Sequence, residues 1–540
     1  MTFFFHELKN FIQNDPLSDW FSIVHQKYQC FDKDSKSSFE IEIEGKTTKY
    51  KEDFFKFLQE RGQYHFEFNL DHEQTNEFIS MKQIGIFIHC SLYHKEYDIL
   101  IKPDLIIHRD IFQEIFHQVD EKLPEYIVID ILYKIIHFNT DKTDILNQGD
   151  IFYHKCKMLI ASQCVNLSYK QGYFFAKEYR YKDKRIPKKE SIGIFNFSDE
   201  MENKIYDALQ WRIKLMNHYE DWVIKPEPSV KELYPNMNIK TGLWNKEKKL
   251  LADEIKEITS VWNISYQKRC ILLEKGIKTW DDPILLHNIY PYEIKESKRE
   301  FIQEKMIHIN SQDELKIQPR RLKNTEFIHH IQNQEDSIIL DIESVLYLDE
   351  KESYFTDEIK LDDSPKICII GTILLNHKNI FKDFTIKYLT NTEEGKIIQY
   401  WLNFLKKYFK KSIKIYHWGN AEKVYLEYMM KKYPDLNYPE FELIDLVKYF
   451  KEEPITIQGC FGYGLKEIVK QLYSHNLIEN QWTDDTDGLE AMIQIMKKSE
   501  EASEKKIPLK RFTEIKKIIY YNYMDCKVIN DILIMLQKMI

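Results

Sequence analysis

An α/β protein of several domains is the fold class this sequence predicts, on three observations. The chain has 540 residues, several times a typical domain of about 150 residues. Short runs dense in Ile, Val, Phe and Tyr alternate with stretches of helical period at both ends of the chain, while the middle shows helical period alone. Gly and Pro number 15 each, too few for a collagen-like or linker-rich chain.

Taken in order, the first region, 1–215, carries β-type runs at IGIFIHCSLY (84–93), DILIKPDLIIH (98–108) and EYIVIDILY (125–133). In the second, 216–325, the segments KKLLADEIKEITSVW and SYQKRCILLEKGI have the spacing of short helices. A polar stretch, KIQPRRLKNTE (316–326), reads as a linker. Beyond it, 326–540 returns to β runs at SIILDIESVL, KICIIGTILL and FTIKYL, interleaved with helices. Asn391 with Glu394 predicts a capping box for the helix through Trp401 and Phe404.

Hydrophobic residues make up 43% and charged residues 30% of the chain, a globular rather than disordered composition. Against 77 Lys and Arg stand 86 Asp and Glu, a net charge of −9, so a surface for nucleic acid has to be a local patch. No run approaches the ~18 apolar residues of a membrane span, and the first residues lack the pattern of a signal peptide. The eight cysteines form no CxxC pair, which argues against a zinc ribbon or a disulfide framework. The expectation is a protein with no membrane association, not secreted, placed in the cytoplasm, the nucleus or a virus factory.

The chemistry-bearing residues concentrate near the C-terminus. SIILDIE sets Asp341 and Glu343 two apart on one strand, hence on one face, as half of a divalent-metal site. Three apolar residues lead into Asp341 and predict a buried central strand, where paired carboxylates need a metal or a partner. The strand KIYHW ends at Gly419-Asn420, and Glu422 follows in the first turn of a helix, at a strand's carboxyl end. In IIYYNYMDCKVINDIL, Tyr521 and Asp525 are i, i+4 neighbours on one helical face.

This ordered set resembles the tyrosine-containing branch of the RNase H-like (DEDD) 3′-5′ exonucleases, over about 326–540. More closely, YHWGNAEKVYLEYM, FELIDLV, FGYGLKEIV and YNYMDC resemble the exonuclease domain attached to RecB-like nucleases of bacteria, archaea and large DNA viruses. The resemblance implies an RNase H-like mixed sheet flanked by helices. It also implies two Mg²⁺ or Mn²⁺ ions held by Asp341, Glu343, Glu422 and Asp525, with Tyr521 orienting or helping to deprotonate the attacking water. Most members have Asp where this chain has Glu422, and Asp445 in FELIDLV is the other candidate for the third acid.

The N-terminal runs resemble the PD-(D/E)XK core of the same family, which implies Asp104 and Asp130 as metal acids. The lysine expected two residues after Asp130 is Leu132, which neither donates a hydrogen bond nor carries charge. The domain therefore reads as degenerate and non-cleaving, unless Lys134, ~6.6 Å further along the strand, reaches in. Lys184, Arg185, Lys188 and Lys189, in YRYKDKRIPKKE, interleave with tyrosines as a candidate nucleic-acid patch or a solvated loop. The middle region, with Gly276-Ile277, resembles the helix-hairpin-helix-like connector of the family.

The function expected is a metal-dependent nuclease, a 3′-5′ exonuclease of DNA repair or replication acting on DNA or RNA with a free 3′ end, alongside a helicase or replication partner. The alternatives are a non-catalytic nucleic-acid-binding scaffold subunit and a dual nuclease with an active N-terminal site.

Overall fold

A computed structural model describes residues 2–116, 123–182, 184–186, 192–240, 242–285, 298–312, 314–326, 336–345, 365–375, 379–483 and 488–540. The protein is mixed α/β and divides into two compact units, with the main division between Glu257 and Ile258. The region expected as a connector is thus shared between them. Its first part packs with the N-terminal unit, where the Trp244 indole N–H donates to Ser22 Oγ at 2.9 Å. Its second part forms a small core of Ile258, Val261, Ile264, Leu272 and Ile277 in the C-terminal unit. There Gly276, at φ +80°, ends the helix Tyr266–Glu274. The Gly276 and Ile277 N–H groups donate to Leu273 and Leu272 carbonyls, so this Gly-Ile pair serves helix closure and its N–H groups are not free for phosphate.

The main sheet of the N-terminal unit contains β1 (Phe66–Phe68), β2 (Ile86–Ile88), β3 (Leu105–His108), β4 (Tyr126–His137), β5 (Gln171–Tyr181) and β6 (Gly193–Asn196), ordered β6-β5-β4-β3-β2-β1. The central β4 is buried along most of its length, which is why it reads as a near-continuous apolar run. It pairs parallel with β5, and the connection between them carries a helix, α2 (Ile151–Val165), as parallel neighbours require. An earlier helix, α1 (Ser38–Arg61), buries Tyr50, Phe54 and Leu58.

The C-terminal unit is built on five strands, β7 (Ser337–Val345), β8 (Lys366–Leu374), β9 (Ile380–Thr385), β10 (Ile413–His417) and β11 (Phe441–Asp445), ordered β9-β8-β7-β10-β11. The first three form an antiparallel meander, and β10 and β11 add in parallel. The predicted central strand is central: β7 pairs on both sides. Side chains alternate along it. Ile338, Leu340 and Ile342 join a core with Trp401 and Leu405 of α3 (Asn391–Tyr408). On the other face Ile339 packs with Cys526, Ile529 and Leu533 of α7 (Thr513–Gln537).

The cap of α3 differs from expectation. Thr390 is the N-cap, its Oγ1 accepting from the Glu393 N–H at 3.2 Å. Glu394 is instead drawn inward, accepting from the Ile367 N–H at 2.8 Å and pairing with Lys432 at 2.9 Å. A buried carboxylate with three donors, Tyr433 Oη at 2.7 Å being the third, gains more than one capping a solvated turn.

Candidate metal centre

The face of β7 that begins with Ile339 continues with Asp341 and Glu343, so the period of the strand carries the packing against α7 directly into a pair of acids. One turn of α7 toward its N-terminus from Ile529, Asp525 occupies the same helical face. Oxygens of Asp341, Glu343 and Asp525 lie within 4.8 Å of one another. Asp341 is partly exposed, while Glu343 and Asp525 are buried. No lysine or arginine forms an ion pair with any of the three among the described residues.

Gathering carboxylates away from water raises their affinity for protons. Burial pushes the Asp341 carboxyl up to about 7. Glu343 is raised well above its ordinary value by burial and then by Asp341 and Glu422. Asp525 is raised likewise, by burial and then by Asp341 and Glu343. The Tyr521 phenol, half-buried beside Asp525, is pushed far above the usual range by burial and then by the charges of Asp525, Glu343 and Asp341. Burial and the neighbouring acids thus favour its neutral, hydrogen-bonding form.

Glu422 is in the first turn of α4 (Ala421–Lys432), as expected. It is not a member of the group within 4.8 Å. It is buried, its Oε2 accepts no hydrogen bond, and burial followed by the field of Asp341 raises it to about 8. His417 Nδ1 is 3.7 Å from that oxygen, but burial lowers the imidazole pKa. Its Nδ1–H donates to the Gly419 carbonyl at 2.7 Å, so it supplies no cation to Glu422.

Asp445, the alternative third acid, is otherwise engaged. It is the N-cap of α5 (Leu446–Glu452), and its Oδ1 accepts from the Val447 N–H at 2.9 Å and the Gly419 N–H at 3.0 Å. An acid at the end of a strand and the start of a helix reads the same in sequence as a ligand or as a cap.

Two residues of the site were not singled out from sequence. Asn522, next to Tyr521, donates from Nδ2 to Asp341 Oδ2 at 2.5 Å and to the Asp341 carbonyl at 3.2 Å. Its own Oδ1 is buried with no partner. Room for it comes from Gly371, which pairs opposite Asp341: a Cβ there would lie 1.7 Å from Asn522 Oδ1. Lys466, on α6 (Leu465–Ser474), lies with its ammonium 5.3 Å from the Tyr521 ring centre and lowers the Asp525 pKa against the acids. The segment FGYGLKEIV therefore delivers a basic group whose field Asp525 registers.

In the N-terminal unit Asp104 and Asp130 come together: the Asp104 N–H donates to Asp130 Oδ1 at 3.3 Å. Lys134 does not join them. The ladder is irregular between Leu132 and Ile135, and Lys134 pairs with Asp150. Its ammonium is held on Asp150 and not on Asp104 or Asp130. Leu132 is buried in the core. Asp130 is instead met by Lys157 and His154 from α2, at 2.7 and 3.1 Å. Asp150, His154 and Lys157 recur at spacings of four and three before and within an apolar helix, a signal legible in the sequence. Lys184 is exposed in a two-residue strand against the end of β5. The side chain of Arg185, and Lys188 and Lys189 altogether, lie outside the described residues.

No helix among the described residues is long and apolar enough to cross a membrane. No family model, curated protein or solved structure matches this chain.

Proposed function

We propose that the C-terminal unit is a divalent-metal-dependent phosphodiesterase that removes nucleotides from a 3′ end, in the manner of the tyrosine-containing RNase H-like exonucleases it resembles. The observation that carries this reading is the convergence of Asp341, Glu343 and Asp525 within 4.8 Å without an ion-pair partner among the described residues. A fold that buries such acids needs a counter-charge.

The donor set fits Mg²⁺ or Mn²⁺. It is made of hard carboxylate oxygens with no sulfur or imidazole ligand, and Glu422 Oε2 is an orphaned buried acceptor whose charge Glu343 registers. Asp341, Glu343 and Asp525 would hold the ions, with Glu422 as the fourth acid. Ions bound there supply an activated water and stabilise charge on the leaving 3′ oxygen.

The chain's own residues do the rest. Asn522, itself anchored on the Asp341 backbone carbonyl, donates to Asp341 Oδ2 and so holds a ligand oxygen in place before substrate arrives. Tyr521, protonated and anchored on Asp525, orients the attacking water or a phosphate oxygen by hydrogen bonding. Lys466 adds positive charge on the side of Asp525 where phosphate charge has to be accommodated. The N-terminal unit, with Leu132 in its core, does not cleave in this reading and contributes binding.

The test is degradation of end-labelled single-stranded and duplex DNA and RNA with Mg²⁺ or Mn²⁺, comparing the wild type with Asp341→Asn and Asp130→Asn. Stepwise shortening from 3′ ends that is lost in Asp341→Asn and kept in Asp130→Asn is expected. Absence of metal-dependent cleavage of every substrate would overturn the proposal in favour of a binding scaffold.

A further inference from the structure

The acids of the C-terminal unit have a second phenol beside them, and an irregularity in β7 provides its anchor. Ile338, Leu340, Ile342 and Val345 all join the core that contains Trp401. From Ile338 to Ile342 the spacing is two, but Ile342 and Val345 are three apart, and the register with β8 shifts between Glu343 and Ser344. One extra residue in a strand leaves two successive side chains off the core face. Here they are Glu343 and Ser344, so a serine hydroxyl stands next to a metal acid where strict alternation sends it into the core.

Ser344 Oγ donates to Tyr425 Oη at 2.7 Å. Tyr425 follows Glu422 by three residues on α4, a neighbour on the helix surface. Its ring packs against the same core as Val345, and the residue is half-buried. A phenol that accepts from Ser344 keeps its own hydrogen to donate, and no acceptor takes that hydrogen among the described residues.

The two phenols stand at opposite ends of the acids. Burial raises the pKa of both. After burial, the acid that raises Tyr521 most is Asp525, its neighbour on α7, followed by Glu343 and Asp341. For Tyr425 the Ser344 hydroxyl opposes the rise, and the acid that raises it most is Glu422, again followed by Glu343 and Asp341. Asp341 and Glu343 are therefore the shared neighbours, with one phenol beyond them on the side of Asp525 and the other on the side of Glu422.

In an in-line displacement the attacking and leaving oxygens lie on opposite sides of phosphorus, across the acids that hold the ions. With Tyr521 at the attacking water, the place open to Tyr425 is that of the leaving oxygen. That oxygen gains negative charge as its bond to phosphorus breaks, and a neutral donor already fixed in position stabilises it.

We propose that Tyr425, held by Ser344, is a second catalytic tyrosine, which donates a hydrogen bond to the departing 3′ oxygen. Ser344 is a positioning residue that acts through the phenol. The assignment rests on the reading of the C-terminal unit as an exonuclease.

The experiment is single-turnover cleavage by the full chain, with Mn²⁺, of two dT10 strands whose terminal linkage has either oxygen or sulfur at the bridging 3′ position. A thiolate departs without a donor, so the sulfur strand bypasses Tyr425. Tyr425→Phe keeps the ring and its packing. It should cleave the oxygen strand about a hundredfold more slowly, the loss of one donor to a developing oxyanion, and the sulfur strand at nearly the wild-type rate, with Mn²⁺ affinity unchanged. Ser344→Ala should show the same selectivity to a smaller degree, while Tyr521→Phe should slow both strands, since both need the attacking water. A Tyr425→Phe rate equal to that of the wild type on the oxygen strand overturns the proposal. So does an equal slowing on both strands, the result of damage to the fold or to the ions. Those two outcomes leave the exonuclease standing, whereas a wild type that cleaves neither strand overturns the exonuclease and this assignment with it.

Discussion

Raising the pH in the absence of metal should destabilise this protein, and replacing Asp341 by Asn should relieve part of the loss. Asp341 rises from 3.8 to about 7 in the folded state, which by 1.36 kcal/mol per unit is about 4 kcal/mol of differential proton affinity. The sign follows from proton counts. Between these two values the folded chain binds a proton that the unfolded chain has released, so stability falls as pH rises. The contribution is fully present below about 3.8 and lost progressively to about 7. Glu422, raised to about 8, acts in the same direction. The two shifts share a cause, so they do not add in full.

Calorimetric melting of the wild type and Asp341→Asn in EDTA, from pH 5 to 8.5, reads this directly. The variant keeps a group able to accept from Asn522 but has no charge to bury. It should melt above the wild type at pH 8.5, by up to about 4 kcal/mol of stability, and converge with it toward pH 5. Mg²⁺ should raise the wild type at pH 8.5 more than at pH 5 and the variant less at both. A wild type whose metal-free stability is flat across this range, or a variant that is less stable at pH 8.5, would refute the argument that these acids are buried without a counter-charge.

Other outcomes follow from the same geometry. Gly371→Ala places a Cβ 1.7 Å from Asn522 Oδ1, so thermal melting should show about 1–3 kcal/mol of destabilisation, together with lower cleavage rates as Asp341 loses its orienting amide. Asp445→Asn should cost no more than about 1 kcal/mol, since it alters a helix cap, and leave Mn²⁺ affinity in place, whereas Glu422→Gln should weaken Mn²⁺ binding; the reverse ranking by calorimetric titration would make Asp445 the ligand. Tyr521→Phe should lower kcat with little change in metal affinity, and equal kcat would remove the phenol from the chemistry.

The acids of the site were legible because their positions follow from periodicity. A strand repeats every two residues and a helix about every four, so Asp341 with Glu343, and Tyr521 with Asp525, share faces wherever those elements pack. Glu422 was legible as the first turn after a strand. The Asn522 and Gly371 pair was not, because it depends on the register that sets Gly371 opposite Asp341, a relation between strands about thirty residues apart. Asp445 stayed ambiguous since ligand and cap have the same sequence signature. That Lys134 is held on Asp150, beside an irregularity in β4 after Leu132, was not legible, because no residue pattern marks the irregularity. The cation that meets Asp130 comes from α2, where Lys157 follows His154 by three residues inside an apolar run. The expected connector is divided: its first part meets the N-terminal unit at Trp244, and its second part forms a small core in the C-terminal unit.

The central claim, that Asp341, Glu343 and Asp525 form a divalent-metal centre, is tested most directly by calorimetric titration of Mn²⁺ into the metal-free protein at pH 8. Saturable binding that is lost in Asp341→Asn and in Asp525→Asn, and kept in Asp130→Asn, is the predicted result. Binding that is absent from the wild type, or that survives in both C-terminal variants, would contradict it.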